Sequence, residues 1–403
     1  MQTNLKANTS TPSRLNEAEE ILRACVHCGF CNATCPTYQI LGDELDGPRG
    51  RIYLIKQLLE GEEVTEKTQM HLDRCLTCRN CETTCPSGVR YHDLLDIGRA
   101  EVDARVARPL PQKILRQSLK KLIPNRALFS GLLRTGQWVR PILPKVVADK
   151  IPEKPPANTK LPSSTHKKRA IVLESCVQSS LSPNTRYAAI RVLDRLGIST
   201  IENSSGCCGA NDMHLGDPES AQERARKNID QWLPEIEKGY PIIHTASGCG
   251  AFIKEYDHLL KDDPDYAEKA KKISQMTEDL VETVGREDLS GLRVQSTKKV
   301  AVQCPCTLQH AQRLPNTMEP LLKQLGFTLT NAPDSHLCCG SAGTYSITQP
   351  QLAQTLRDQK LDALELENPD VIATANIGCQ THLNSATRTP VKHWIEIVDA
   401  TLQ

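Results

Sequence analysis

The stretch CVHCGFCNATCP runs from Cys25 to Pro36, and CLTCRNCETTCP repeats its cysteine spacing from Cys75 to Pro86. Both read C-x2-C-x2-C-x3-C-P. Three thiolates within seven residues can wrap a loop around one iron–sulfur cube and ligate three of its irons. The fourth cysteine lies just past the loop, where proline turns the chain away, and reaches the other cube, as in two-cluster ferredoxins. The expected ligation is therefore crossed. Cys25, Cys28, Cys31 and Cys85 hold one 4Fe-4S cluster, and Cys75, Cys78, Cys81 and Cys35 hold the second. Structural zinc needs four ligands, usually from two separated C-x2-C knuckles, and leaves the third loop cysteine and the Cys-Pro step without a purpose. His27, inside the first loop, reads as a spacer or a donor to sulfide, and Gly29 as the close backbone approach of a tight loop.

A second set of nine cysteines follows: Cys176, Cys207, Cys208 and Cys249, then Cys304, Cys306, Cys338, Cys339 and Cys379. The intervals repeat. Cys176 to Cys207 spans 31 residues against 32 from Cys306 to Cys338, and the second cysteine of each CCG lies 41 or 40 residues before the last one. With the flanking LDRLGI and LKQLGF, this is an internal duplication. Isolated buried cysteines are ordinary core residues. Nine at repeated positions point to a further metal or redox site, with an iron–sulfur cluster or zinc as its occupant. Gly209 and Gly340 allow the backbone bend that adjacent cysteines need to face one centre.

These thiols need elements to aim them. From about residue 169 the chain alternates strand and helix patterns: RAIVLESC, TRYAAIRVLDRLGI, CCG, YPIIHTASGCG, then KKVAVQCPC, MEPLLKQLGF, CCG, LAQTLRDQKLDALE, PDVIATANIGCQ and VKHWIEIVDATL. Alternation of this kind predicts parallel sheets covered by helices, with sites beyond the carboxyl ends of strands. Cys176, Cys304, Cys249 and Cys379 all follow such strands. Between the first two motifs, GPRGRIYLIKQLLEGEE sets Ile52, Ile55 and Leu59 on one helical face, starting near Pro48 and ending near Gly61. The fold expected is a helical two-cluster ferredoxin region (1–105), a basic helical segment and Pro/Lys linker (106–168), and a duplicated α/β region (169–290 and 291–403).

The net charge of +1 excludes a global field for nucleic acid. Charge is segregated, however: 16 Lys and Arg between Arg105 and Arg169 face two acids, Asp149 and Glu153. Within this segment Leu115, Leu119 and Leu122 share a face that Lys113, Arg116, Lys120 and Lys121 avoid. Three readings compete: an anionic membrane surface aided by Trp138, an acidic partner subunit, and a solvated basic face. The N-terminal residues show no signal peptide, and no run approaches the roughly 18 apolar residues of a membrane span. The expected location is the cytoplasmic side, peripheral on the inner membrane. No flavin or nucleotide fingerprint is visible. His310, His336 and His382, near the second-half cysteines, read first as hydrogen-bonding residues and second as proton donors to a reduced quinone.

The N-terminal region resembles the helical two-cluster ferredoxin module of respiratory dehydrogenases. The C-terminal region resembles the CCG domains of heterodisulfide reductases, anaerobic glycerol-3-phosphate dehydrogenases and lactate-utilisation proteins. Through LRACVHCGFC, GDELDGPRGRIYLIKQ, HLDRCLTCRNCETTCPSGV, TASGCGAFIKEY, CPCTLQHAQ, DSHLCCGSAGTY and TANIGCQTHL, nearly the whole chain is similar to the iron–sulfur subunits of bacterial glycolate oxidases. The resemblance implies flavin-bearing (FAD) partner subunits that oxidise glycolate to glyoxylate, and a chain that carries electrons onward to a quinone or another membrane acceptor without catalytic residues of its own. The related alternatives are a glycerol-3-phosphate or lactate dehydrogenase subunit, and a CCG region that itself reduces a quinone or disulfide. The endings GCGA and GCQT carry one cysteine where heterodisulfide reductase has C-x-x-C, so the resemblance assigns no third cofactor.

Overall fold

The computed structural model describes residues 1–6, 14–142, 152–153, 158–202, 206–292, 294 and 296–402. Part of the expected Pro/Lys linker lies outside them, within residues 143–151 and 154–157.

The N-terminal region is entirely helical: α1 (Leu15–Ala24), α2 (Phe30–Ala33), α3 (Pro36–Leu41), α4 (Pro48–Leu59), α5 (Glu66–Asp73), α6 (Asn80–Thr84) and α7 (Tyr91–Arg105). Each starts where its sequence permits. Proline occupies the first turn of α3 and α4, where a missing N–H costs nothing. Ile52, Ile55 and Leu59 of α4 are buried as the periodicity requires, against Ile21 and Leu22 of α1 and Leu94 and Leu95 of α7. Gly98 of α7 lies where an added Cβ would sit 2.6 Å from Ile55, so a side chain there would separate α4 from α7.

The basic segment forms α8 (Leu110–Leu122) and α9 (Arg126–Val139). Many of its cations turn inward. Arg116 pairs with Asp73, Lys120 with Asp217 and Arg126 with Glu174, while Arg108, just before α8, joins Asp73 and Asp103. These pairs fasten the hairpin to the body, a role none of the three sequence readings contained. Of the leucine face of α8, Leu119 is buried and Leu115 is 38% exposed.

The remainder holds two four-stranded parallel sheets of identical topology. The first has order β2-β1-β3-β4, from β1 (Lys168–Leu173), β2 (Ile198–Ile201), β3 (Ile242–His244) and β4 (Thr277–Asp279). The second has order β6-β5-β7-β8, from β5 (Lys299–Gln303), β6 (Thr328–Leu329), β7 (Val371–Thr374) and β8 (Val391–His393). The central strands are buried along nearly their whole length, as a sheet covered on both faces demands. One core spans both sheets, joining Val172 and Ile243 to Val302 and Ala373 through Ala188, Val192, Trp394 and Ile395. The fold is thus a helical dicluster region followed by two α/β repeats. Among the described residues no helix is long and apolar enough to cross a membrane.

Candidate metal centres

The eight N-terminal cysteines gather around two adjoining cavities. One is lined by Cys25, Cys28, Cys31 and Cys85, the other by Cys35, Cys75 and Cys78, and Cys81 lies on the wall between them with Pro48 and Tyr91. Each cavity therefore receives three cysteines of one loop and the Cys-Pro cysteine of the other. Left-handed backbone makes the loops tight enough: φ is +56° at His27, +85° at Gly29, +53° at Thr77 and +60° at Arg79. At Gly29 a Cβ would lie 2.6 Å from the Arg49 guanidinium.

The donor set and its surroundings fit iron–sulfur clusters. All 17 cysteines are free thiols. Burial, reinforced by the neighbouring Cys25, Cys85 and Cys28, pushes the Cys31 thiol up to about 11. Crowded thiols of this kind become thiolates only when a cationic centre offsets their repulsion. Two polar atoms facing the cavities lack nitrogen or oxygen partners among the described residues: His27 Nε2, and Tyr91 Oη beside Cys75. Each is placed to donate to a sulfur.

Behind the second cavity lies a buried charged network. Arg51, on the lining, is 1% exposed and Asp46 is wholly buried. Asp46 takes Arg51 Nη2 at 3.4 Å, His71 Nδ1 at 3.1 Å and Arg74 Nη1 at 2.8 Å. Arg51 also donates to Thr37 Oγ1 at 3.2 Å, and that hydroxyl lies 3.3 Å from Cys35 Sγ and 2.7 Å from the Asp46 carbonyl oxygen. The network fixes Cys35, the one thiol of its cavity that comes from another loop.

The helical region packs on the repeats through the second loop. Arg79 pairs with Glu255, with Nη2 and Oε2 2.6 Å apart. Thr83 Oγ1 meets His310 Nδ1 at 2.9 Å, and the other nitrogen of that ring meets the His336 carbonyl at 3.0 Å. His382 Nε2 likewise meets the Ala353 carbonyl at 3.1 Å. The rings of His310 and His382 are thus engaged in structural bonds, and His336 takes part through its carbonyl oxygen. Cys78 packs with Cys306 and Cys338 in one apolar cluster, so the second cavity lies against the second repeat.

In both repeats four thiols form a chain of the same order. Cys176 Sγ lies 3.8 Å from Cys207, which adjoins Cys208, and Cys208 meets Cys249. Cys306 Sγ lies 3.8 Å from Cys338, followed by Cys339 and Cys379. Gly209 (φ +99°) and Gly340 (φ +85°) supply the bends. Cys304 differs: it packs in the core shared by the two sheets, with Val302 and Leu308. The corresponding place in the first repeat holds Glu174, two residues before Cys176. The first set borders a small cavity with Trp232, whose Nε1 is buried without a hydrogen-bond partner among the described residues.

Sequence reasoning did not find Tyr91, Thr37, Arg51 or Asp46. The available signal was Arg51 on the same helical side as Ile55 and Leu58, a cation directed inward.

Comparison with known proteins gives a consistent result. Residues 21–89 match the 4Fe-4S dicluster domain family, and residues 170–254 and 300–384 each match the cysteine-rich CCG domain. The glycolate oxidase iron–sulfur subunit of Escherichia coli is 60% identical over the full length of both chains. A probable glycolate oxidase iron–sulfur subunit of Bacillus subtilis is 32% identical, covering 91% of this chain and 88% of that one. Lactate utilization protein A of Bacillus subtilis is 26% identical over 51% of this chain and 86% of its own. A crystal structure of a hypothetical protein from Helicobacter pylori shares the fold, with TM-score 0.57 at 11% identity over 97% of this chain and 72% of that one. With the dicluster region and both cysteine-rich repeats in place, the chain belongs to the family of glycolate oxidase iron–sulfur subunits.

Proposed function

We propose that this chain is the electron-transfer subunit of a glycolate-oxidising complex, receiving electrons from a flavin-bearing partner subunit and passing them towards a quinone. Cys25, Cys28, Cys31 and Cys85 hold one 4Fe-4S cluster, and Cys35, Cys75, Cys78 and Cys81 hold the other. When bound, such clusters accept and release single electrons at potentials set by ligands, hydrogen bonds and burial. The observation that carries the reading is the sharing of one wall, Cys81, by two cavities around which all eight N-terminal thiols gather. Groups held there lie next to one another, as a relay requires.

The protein's own residues divide the remaining work. The Asp46–Arg51–Thr37 network holds Cys35 in place and sets a buried guanidinium beside the anionic ligands. Tyr91 separates the two sites and shields both from water. The contact of Cys78 with Cys306 and Cys338 supports a third redox or metal site in the second repeat, adjoining the second cluster. Substrate oxidation belongs to the partner.

The test is anaerobic purification of the chain with its partners, followed by glycolate addition without any acceptor. EPR signals of reduced clusters should develop, and the isolated chain should give none with glycolate. Glycolate oxidation by the isolated chain, or a complex whose clusters stay oxidised, would overturn the reading.

A further inference from the structure

The second cysteine loop has a solvent-side neighbour as well. Next to Cys75 and Thr77 lies a chamber lined by Arg99, His214, Thr344 and Tyr345, with Asp73, Arg116 and Thr348 also on its wall. Those last three residues also line a cleft of about 360 Å³ between α5, α8 and the Thr348–Gln349 turn. Chamber and cleft share these three wall residues, so the cleft adjoins the chamber that borders Cys75. The volume falls in the range of about 300–1,000 Å³ typical of small-molecule sites.

The lining is mixed. Met70, Pro109 and Leu115 are apolar, whereas Gln112, Arg116 and Gln349 bring polar groups. Arg116 uses Nη2 on Asp73 at 2.9 Å, and a guanidinium has further donors to offer. Flat apolar rings edged by carbonyl oxygens suit such walls. Met70, on the cleft wall, is 38% exposed; Leu110 (69% exposed) and Ile114 (57%) stand on the other side of α8, and Leu128, Leu132 and Trp138 are exposed on α9, so the hairpin carries apolar side chains towards solvent. Lys113 and Lys121 stand exposed on α8 among these side chains. An apolar helical surface with scattered cations is the kind that lies against anionic lipid, where a lipophilic acceptor is dissolved.

On the other side of the loop, Cys78 faces Cys306 and Cys338, and Cys338, Cys339 and Cys379 are all buried. A diffusing acceptor has no comparable approach there among the described residues. We propose that the cleft between α5 and α8 binds a quinone headgroup, which takes electrons at the Cys75 edge of the second cluster. This rests on the electron-transfer reading above. One quinone becomes one quinol: two electrons arrive singly from the Cys75 side, having come from the partner's reduced flavin, and two protons come from solvent through the mouth of the cleft.

The experiment uses the complete complex with an azido-substituted short-chain ubiquinone as photolabel, so that occupancy is read without turnover. Label should map to residues 66–73, 109–116 or 344–349. Leu115→Trp and Gln112→Trp fill the cleft from two positions; iron content per chain checks that each variant folds. Both should lower labelling of these segments, and electron transfer to decylubiquinone, by about tenfold or more, equivalent to about 1.4 kcal/mol. Label confined to other segments, or unchanged in both variants, overturns the proposal. A complex whose clusters are not reduced by glycolate overturns the electron-transfer reading instead, and the labelling pattern still decides the cleft.

Discussion

Replacing Asp46 with Asn removes the buried carboxylate at the centre of the Arg51–His71–Arg74 network while keeping its shape. Asp46 is 0% and Arg51 1% exposed, so neither gains compensation from water. Removing one partner of a buried ion pair costs about 3–5 kcal/mol, because the remaining charge stays buried. An independent count agrees. The amide keeps one acceptor oxygen, so of the His71 contact at 3.1 Å and the Arg74 contact at 2.8 Å one is lost and the other loses its charged acceptor, and charge-assisted bonds contribute about 1.5–3 kcal/mol each. Arg74 is partly exposed and can turn outward, but Arg51 cannot. The expected outcome for Asp46→Asn is a loss of about 4 kcal/mol from the helical region. Urea unfolding of anaerobically purified protein reads it, followed by cluster absorbance for the helical region and by far-UV dichroism for the whole chain. The double variant Asp46→Leu/Arg51→Met, which replaces the pair with apolar groups, should recover most of the loss. A cost below about 1 kcal/mol for the single variant, or a double variant no better than the single, would refute the idea that this pair is tightly coupled.

Three further outcomes follow from the geometry. His310→Ala removes both bonds of a bridging ring and should cost about 1–2 kcal/mol, with faster amide exchange in α6; the Thr83 hydroxyl and the His336 carbonyl each lose one partner and keep their bonds to Asn80. Gly340→Ala places Cβ 2.5 Å from the Ala353 carbonyl oxygen at φ +85° and should destabilise by about 2–5 kcal/mol, whereas Gly239→Ala, at φ +86° in open space, should cost only about 1–2; thermal unfolding of the two separates crowding from backbone strain. Contact between the helical region and the first repeat should hold best between about pH 4 and 6.5. Burial would raise Asp93, but His258, His92 and Arg90 outweigh it and hold its carboxyl well below the usual range, so its contribution is present above about pH 4 and lost on acidification. Burial would lower His92, but Glu82 outweighs it and holds the ring above its usual value, so its contribution is full below about pH 6.5 and lost as pH rises through the elevated value. Hydrogen exchange of residues 91–96 across pH 3–9 should show least opening inside that window; a monotonic profile would contradict the signs.

The cysteine frame was legible because spacing alone determines which thiols one loop can present. The duplication was legible because its intervals repeat, and buried parallel strands such as AIVL and VIAT announce themselves as apolar runs. The flanking strands were not. β6 has two residues, and β4 and β8 three each, too few for periodicity to appear, and Val391–His393 was absorbed into the helix that starts at Trp394. The charged network was hidden because Arg51, Asp46 and the His71–Arg74 end of α5 come from separate elements, and only folding shows that their charges meet. The inward turn of α8 and α9 was hidden for the same reason: Asp73, Asp217 and Glu174 are distant in sequence. The repeat cysteines were found as a set, but Cys304 could not be told from its neighbours until the core placed it.

The central claim is that thiolates from separate loops share each cluster. An electron-density or cryo-EM map of oxygen-protected protein tests it most directly, supported by iron analysis. The expected result is about eight irons or more per chain, Cys35 Sγ on the cube of Cys75, Cys78 and Cys81, and Cys85 Sγ on the cube of Cys25, Cys28 and Cys31. Cys35 bound to the cube of its own loop would contradict it.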